Sequence, residues 1–194
     1  MAVTVGFFDG VHIGHRQVLR TLTSMGGRST VITFWPHPRQ VLGQDGSSLT
    51  LLSTLEQKKE LIRQEGVQDV VTIPFTRDFA SLTAEQFVDK YLIGRYRCDT
   101  LVLGYDNRLG SDGLDTKALA LLCRSKGMKV IVVPPVLVDG KAVSSSRIRK
   151  ALQEGDADLA RQMLGREPDG EHRRKIDVKK MIIYSEIMVP KYDK

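Results

Sequence analysis

Short apolar segments rich in β-branched residues recur along this chain of 194 residues, and a helical pattern follows each of them. Such apolar runs suit strands that are buried on both faces of a parallel sheet. The predicted strands are Ala2–Phe8, Ser29–Trp35, Asp69–Pro74, Thr100–Gly104 and Lys129–Pro134. The predicted helices are Gly14–Ser24, Thr54–Glu65, Ala84–Tyr91, Thr116–Lys126, Ser145–Gln153 and Asp156–Leu164. The alternation predicts an α/β fold with a doubly wound parallel sheet of about five strands and helices on both faces.

In a Rossmann-like sheet of this kind, ligands bind beyond the carboxyl ends of the strands, where the strand order reverses. The segments that follow the predicted strands are therefore where functional residues are expected. These segments are Gly6–Asp9, Trp35–Pro38, Phe75–Asp78, Gly104–Asp106 and Pro134–Val136. We also expect the polar segment from Phe75 to Leu82 to act as a flap over the crevice.

Composition restricts the class of protein. Hydrophobic residues make up 41% and charged residues 27%, as in globular proteins, and no stretch approaches the ~20 apolar residues of a membrane span. The first six residues lack a basic leader, so we expect a strand rather than a signal peptide. Cys98 and Cys123 are too few for a disulfide framework and fit a cytoplasmic protein.

The formal net charge of +6 favours an anionic partner, which leaves nucleic acid, a membrane surface and phosphorylated metabolites as candidates. Nucleic-acid binding rests on charge alone, because 6% aromatic residues offer little surface on which bases could stack. We therefore predict no nucleic-acid partner and no membrane partner.

Two of the four histidines lie in the segment Gly6–His15, which has the pattern of a strand, a tight Asp-Gly turn and a helix. If the helix begins near Val11, His12 and His15 share one face of its first turn. Unpaired backbone N–H groups and the positive end of the helix dipole favour a phosphate there. Gly14 leaves room for a flat group to approach the backbone.

A simpler interpretation makes such a histidine a capping or exposed residue, but a pair flanked by glycines and Asp9 favours a phosphate site. Zinc is the sharper alternative, because imidazoles at this spacing bind metal. No HExxH pattern and no nearby cysteine accompany the pair, and a third ligand would have to be Asp9 or His37. We therefore predict no metal-ligating residues.

The segment Val143–Arg149 follows the last predicted strand and opens a helix with three serines and two arginines. A serine cap with solvent-facing arginines is the structural alternative. Arginine near a helix start opposes the helix dipole, however, so a bound anion explains its position better. In a doubly wound fold this helix can lie across the crevice from the helix of His12 and His15. Two anion-binding helix starts at one cleft describe a nucleoside triphosphate site.

These motifs resemble those of a known family. Gly6–His15 resembles the G-x-F-D-G-x-H-x-G-H signature of the HxGH nucleotidyltransferases, and Ser144–Arg149 resembles their S-S-T-x-x-R signature. With Thr33–Pro38, Gly104–Gly110 and Leu164–Arg166, the chain resembles the adenylyltransferase module of bacterial FAD synthetases from about Val3 to Arg166. The resemblance implies a nucleotidyltransferase domain over residues 1–165 and an appendage over 166–194. No riboflavin kinase activity is expected, since the tail contains no glycine-rich kinase motif.

The resemblance implies an FMN adenylyltransferase, which transfers AMP from ATP to the phosphate of FMN and gives FAD and pyrophosphate. Mg²⁺ is implied as the cofactor, held mainly by phosphate oxygens and water. The implied catalytic residues are His12, His15 and Arg149. The implied ATP-binding residues are Gly6, Phe7, Asp9, Gly14, His15, Asp106, Ser145, Ser146 and Arg149. The implied flavin-binding residues are Phe34, Pro36, His37, Pro38 and Asn107.

Three positions depart from the usual family pattern. Ser146 stands where threonine is usual, Ala142 where some members carry arginine, and Asn107 where phenylalanine is common. The departures at Ala142 and Asn107 leave two alternatives. One is a catalytically weak or inactive relative that binds flavin or adenine nucleotide, and the other is a nucleotidyltransferase for another phosphorylated acceptor.

Overall fold

The computed structural model describes residues 1–43 and 50–168. The strands are β1 (Ala2–Val5), β2 (Ser29–Trp35), β3 (Asp69–Pro74), β4 (Thr100–Gly104), β5 (Arg108–Leu109), β6 (Leu114–Asp115), β7 (Lys129–Val133), β8 (Leu137–Val138) and β9 (Lys141–Ala142). The helices are α1 (Ile13–Thr23), α2 (Pro38–Leu42), α3 (Leu55–Gln64), α4 (Arg77–Ala80), α5 (Ala84–Phe87), α6 (Thr116–Ser125), α7 (Ser145–Glu154) and α8 (Ala157–Leu164). Helix α5 continues directly into a π-helix, Val88–Arg95.

The central sheet has five parallel strands in the order β3-β2-β1-β4-β7. Its register places Val3 opposite Thr30 on one side and opposite Leu101 on the other. The chain runs outward from β1 through β2 to β3 and then returns to the other side of β1, so the strand order reverses between β1 and β4. This sheet confirms the predicted Rossmann-like α/β class.

Alternate side chains of each strand enter two cores, one on each face of the sheet, because successive residues of a strand point to opposite sides. On one face, Val3, Ile32 and Leu101 pack with buried residues of α5, the π-helix and α6. On the other face, Ala2 and Val31 pack with buried residues of α1 and α3. Helices therefore cover both faces of the sheet, as predicted, and the central strand β1 is buried along its whole length.

Helices α7 and α8 pack on each other around a third, smaller core that includes Ile148 and Met163. Leu52 and Val143 belong to the same core, so it connects the helix pair to the loop before α3. Beyond α8, Arg166 donates a hydrogen bond of 2.9 Å to the carbonyl oxygen of Gly10. The end of the helix pair is thereby held beside the segment that joins β1 to α1.

The predicted elements are all present, with small differences at their ends. Strand β1 ends at Val5 rather than Phe8, because the following segment leaves the extended conformation: φ is 50° at Phe8 and 79° at Gly10. The short helices α2 and α4 and the two-residue hairpins β5–β6 and β8–β9 were not predicted. The predicted appendage, residues 166–194, lies outside the described residues from 169 onward. In the two described ranges, no helix is both long enough and apolar enough to span a membrane.

Candidate active site

A cavity of about 470 Å³ opens at the carboxyl ends of β1, β2, β4 and β7, beside the point where the strand order reverses. This volume lies in the range of small-molecule sites. The predicted site residues that line it are Gly6, Phe7, Asp9, His12, Gly14, His15, Phe34, His37, Pro38, Asp106, Asn107, Ser145, Ser146 and Arg149. Pro36 does not line the cavity, although His37 and Pro38, which follow it, do.

His12 and His15 form a stacked pair at the start of α1. Their ring centroids are 3.6 Å apart and the planes differ by 14°. The helix begins at Ile13, one residue before the predicted Gly14, so His12 is the N-cap residue. Its Nδ1 atom accepts a hydrogen bond of 3.3 Å from the backbone N–H of His15. In the neutral ring the proton therefore resides on Nε2, which remains able to donate.

Both imidazoles of this pair are neutral at physiological pH. Burial, with smaller contributions from the positive charges of Arg149 and Arg166, lowers the pKa of His12 to about 4. Burial also lowers the pKa of His15 well below its usual value, with smaller contributions from His12 and Lys58. A neutral imidazole can donate a hydrogen bond to an anion without a further full positive charge having to be buried.

Gly14 lies directly against the imidazole of His12. A Cβ atom there would lie 3.2 Å from Cε1 and Nδ1 of His12, closer than ordinary van der Waals contact. The missing side chain therefore makes room for the imidazole of His12. That it also lets a flat ligand approach the backbone stays a prediction. The backbone before it is strained, since the β-branched Val11 has a φ of 38°. Strain of this kind is typical of functional sites that the surrounding fold holds in place.

Asp9 joins the two predicted motifs. Its buried carboxylate accepts a hydrogen bond from Nη2 of Arg149 and one of 3.0 Å from the backbone N–H of Leu52. Its carbonyl oxygen accepts a hydrogen bond of 2.9 Å from Oγ of Ser145. The Nε atom of Arg149 donates to the carbonyl oxygen of Thr50 at 2.9 Å. Asp9 thus fixes the guanidinium of Arg149 and the first turn of α7 beside the histidine pair.

The three serines at the start of α7 have different surroundings. Ser144 is the N-cap, because its Oγ accepts from the backbone N–H of Arg147 at 3.2 Å. The hydroxyl of Ser145 donates its hydrogen bond to the carbonyl oxygen of Asp9. Ser146 is exposed, and its hydroxyl makes no hydrogen bond within residues 1–43 and 50–168. Arg147 turns away from the cavity and donates to the carbonyl oxygens of Val138 and Lys141. Of the two arginines in the motif, Arg149 is the one at the cavity.

The opposite wall of the cavity is aromatic. The ring of Phe7 lies 5.2 Å from that of Phe34 and 5.3 Å from that of His37, between centroids. His37 caps α2, since its Nδ1 accepts from the backbone N–H of Arg39 at 3.3 Å. Burial and the charge of Arg149 lower the pKa of His37 to about 4.

Sequence reasoning missed three phenylalanines that complete this wall. Phe75 and Phe79 line the cavity within the segment predicted as a flap, and Phe87 lines it from α5. The ring of Phe79 lies 5.3 Å from that of Phe34 and 6.0 Å from that of Phe87. Phe75 precedes the N-cap Thr76 of α4, and Phe79 lies within the helix. Two aromatic residues in the segment that follows β3, at the edge of the sheet where ligands bind, were the signal that could have revealed them. Whether the segment moves as a flap stays a prediction.

Asn107 and Asp106 follow β4 at the switch point. The Oδ1 atom of Asn107 accepts from the backbone N–H of Gly104 at 3.1 Å, and its Nδ2 donates to the carbonyl oxygen of Val5 at 3.0 Å. The amide thus ties the end of β1 to the end of β4. Asp106 is exposed at the cavity. Within the described ranges, no group of three or more histidine, cysteine or acidic side chains is arranged to hold a metal ion.

Fold and site together define a Rossmann-like α/β protein whose ligand crevice lies between two helix N-termini. The chain belongs to the FAD synthetase family, whose model matches residues 1–147.

Relatives agree with this family. The bifunctional riboflavin kinase/FMN adenylyltransferase of Bacillus subtilis is 36% identical over 167 residues, which are 84% of this chain and 52% of the relative. The FAD synthetase of Listeria monocytogenes is 30% identical over 84% of this chain and 68% of its own length. The chain therefore spans about half the length of the bifunctional relatives that it matches.

Solved structures show the same architecture. The crystal structure of a macrolide-efflux protein from Streptococcus pneumoniae has a TM-score of 0.74 at 28% identity, over 85% of this chain and 56% of its own. A pantoate-beta-alanine ligase from Francisella tularensis has a TM-score of 0.57 at 16% identity, over 91% and 77% of the two chains. The second likeness shows the fold alone.

Proposed function

We propose that this chain is an FMN adenylyltransferase that transfers AMP from ATP to the phosphate of FMN and releases pyrophosphate. The observation that carries the proposal is the meeting of two anion-binding helix N-termini, α1 and α7, at one cavity in a member of the FAD synthetase family. An aromatic wall beside them, built around Phe7 and Phe34, fits a flat heterocycle. Residues 1–165 form the transferase domain in this proposal.

The chemistry needs positioning more than acid–base catalysis. The phosphate of FMN is already largely ionised at neutral pH, since its second pKa is about 6. One of its oxygens attacks the α-phosphorus of ATP, a new P–O bond forms, and the bond to the bridging oxygen of the leaving pyrophosphate breaks. The barrier falls when the two substrates are held in line and the growing negative charge meets fixed hydrogen-bond donors.

Each part of the cavity has a role in this reaction. The Nε2–H group of His12 donates to the α-phosphate, and His15 holds the first imidazole by stacking on it. The first backbone N–H groups of α7, the free hydroxyl of Ser146 and the guanidinium of Arg149 bind the β- and γ-phosphates. Phe34, His37 and Pro38 bind the flavin.

Magnesium fits this site as a companion of the nucleotide. The carboxylate of Asp9 is taken up by Arg149 and Leu52, which leaves Asp106 as the exposed carboxylate at the cavity. Mg²⁺ keeps waters and phosphate oxygens as ligands, so one protein carboxylate is enough. When bound, the ion neutralises phosphate charge. The proposal also places the protein in the cytoplasm, where the buried thiols of Cys98 and Cys123 stay reduced.

The direct test is to incubate the protein with ATP, FMN and MgCl₂ and to quantify FAD by chromatography. We expect FAD and pyrophosphate in equal amounts, and no product when EDTA is present. His12→Ala is expected to lower kcat by about 10²–10³-fold, as for the loss of one transition-state donor, while ATP affinity changes little. A folded protein that binds FMN or ATP but forms no FAD would refute the proposal and support the binding alternative.

A matched serine pair tests the α7 subsite. Ser146→Ala removes a free hydroxyl at the cavity, whereas Ser125→Ala removes an exposed hydroxyl on α6 that bonds to the carbonyl oxygen of Leu122. We expect a higher KM for ATP in Ser146→Ala and wild-type values in Ser125→Ala. Equal kinetics in the two variants would remove Ser146 from the triphosphate site.

A further inference from the structure

Lys58, in α3, buries its charged side chain behind the aromatic wall. It is 4% exposed, which is unusual for lysine. Its Nζ atom donates hydrogen bonds of 3.1 Å to the carbonyl oxygens of Phe7 and Phe34. The same atom lies 5.6 Å from the ring centroid of Trp35. Lys58 does not itself line the main cavity.

The two carbonyl groups belong to neighbouring chain segments that leave the sheet. Phe7 follows β1, and Phe34 lies near the end of β2. The ammonium group of Lys58 therefore connects the carboxyl ends of these two neighbouring strands. Thr33 adds a third connection, because its hydroxyl donates to the carbonyl oxygen of Phe7 at 3.3 Å. The backbone of Phe7 is therefore held from two sides.

Burying the ammonium group of Lys58 at this position costs desolvation free energy. Within the described ranges Lys58 has no salt bridge, and the rest of the buried face of α3 is apolar, as at Ile62. Burial lowers the pKa of Lys58 to about 8, although the charge of Asp9 acts in the opposite direction. A methionine would fill the same length without the desolvation cost. The charged donor is therefore explained by the two carbonyl oxygens to which it donates and not by packing.

We propose that Lys58 is a positioning residue for the flavin substrate, which it serves by fixing the backbones of Phe7 and Phe34 and thus the aromatic wall of the cavity. The inference rests on the proposed function, since it takes FMN as the acceptor. Phe7 contacts both Phe34 and His37, so a shift of its backbone moves the centre of the wall. The triphosphate side has its own hydrogen-bonded supports in Asp9 and α7. Within the described ranges Lys58 acts on Asp9 and His15 through its charge and makes no hydrogen bond to them.

The test compares Lys58→Met with Lys59→Met, the same substitution one residue further along α3. Lys59 makes no hydrogen bond within the described parts of the chain, so it controls for the loss of a positive charge. We expect Lys58→Met to raise the KM for FMN by about tenfold, which corresponds to roughly 1.4 kcal/mol, with less than a twofold change for ATP. A merely structural role would weaken both substrates or lower the active fraction.

A second measurement needs no turnover. Trp35 is the only tryptophan of the sequence, and its ring lies beside the Nζ atom of Lys58. Quenching of its fluorescence by added FMN therefore gives an FMN dissociation constant for each variant. We expect the same tenfold weakening in Lys58→Met and none in Lys59→Met.

The outcomes separate the two proposals. Wild type without FAD formation refutes the proposed function. Wild type that forms FAD while Lys58→Met keeps the FMN affinity of Lys59→Met, or weakens ATP equally, overturns the role of Lys58 alone. If Lys58→Met does not fold, Lys58→Gln is measured in its place. An FMN affinity in that variant equal to that of Lys59→Met likewise overturns the inference.

Discussion

The ion pair between Asp9 and Arg149 offers the sharpest stability prediction. Only 8% of the Asp9 side chain and 13% of the Arg149 side chain are exposed, so both charges lie in a poorly solvated place. Asp9→Asn keeps an oxygen for the backbone N–H of Leu52, which now bonds at 3.0 Å, but it leaves the guanidinium without its anion. Breaking a buried pair by removing one partner costs about 3–5 kcal/mol of unfolding free energy.

For a chain of this size each kcal/mol lowers Tm by about 2–4 °C, so Asp9→Asn is expected to melt roughly 6–20 °C below wild type. The assay is thermal unfolding by circular dichroism, supported by urea titration. Asp69→Asn is the matched control. It breaks the pair of Arg28 and Asp69, joined at 2.6 Å, whose side chains are 69% and 32% exposed. Because water screens that pair, the drop in unfolding free energy in Asp69→Asn is expected to be a small fraction of the drop in Asp9→Asn.

A double variant completes the comparison. Arg149→Met in the Asp9→Asn background removes the guanidinium that has lost its carboxylate partner. The double variant is therefore expected to lose less unfolding free energy than the sum of the losses in the two single variants. The reasoning fails if Asp9→Asn melts no lower than Asp69→Asn, or if the two single losses simply add.

Three further predictions concern the residues around this pair. The pKa of His12 is lowered to about 4, so the unfolded chain binds more protons below its ordinary value of 6.5, and stability is lost as pH falls. Between pH 7 and pH 5 the titration of His12 lowers the free energy of unfolding by about 2 kcal/mol, and His37 acts in the same direction. His12→Asn keeps an N-cap but does not titrate. This variant should therefore lose less unfolding free energy than wild type when urea titrations at the two pH values are compared. Gly14→Ala places a methyl group 3.2 Å from the His12 ring, so kcat should fall while Tm changes little, and an unchanged kcat would refute that reason for the glycine. Asn107→Phe introduces the usual family residue but leaves the backbone N–H of Gly104 without its hydrogen-bond acceptor. Urea titration should therefore show a free energy of unfolding about 1–3 kcal/mol lower than that of wild type.

The order of elements could be predicted because strand and helix carry different periodicities. The runs at Ser29–Trp35 and Thr100–Gly104 are rich in β-branched and apolar residues, and they are buried along most of their length between the helices of the two faces. The meeting of the two motifs could also be predicted, because a doubly wound sheet gathers strand exits at one edge. The hydrogen bond of Ser145 to Asp9 is the observed form of that meeting.

Other features depend on contacts between distant residues and leave no local pattern. Lys58 lies in an amphipathic helix and has the sequence context of a surface lysine, yet tertiary packing buries it against carbonyl groups of β2 and the β1 exit. The role of His12 as the N-cap of α1 could not be seen, since it depends on the positive φ of Val11 that precedes the helix start at Ile13. The hydrogen-bonded role of Asn107 could not be seen either, since Val5, its partner, is far away in sequence.

The most direct test of the shared cavity is a crystal structure with a non-hydrolysable ATP analogue and FMN bound together. The account predicts the α-phosphate within hydrogen-bond distance of Nε2 of His12, the outer phosphates at Ser146 and Arg149, and the flavin ring against Phe34. An analogue bound away from the start of α7, or a flavin ring outside the aromatic wall, would contradict it.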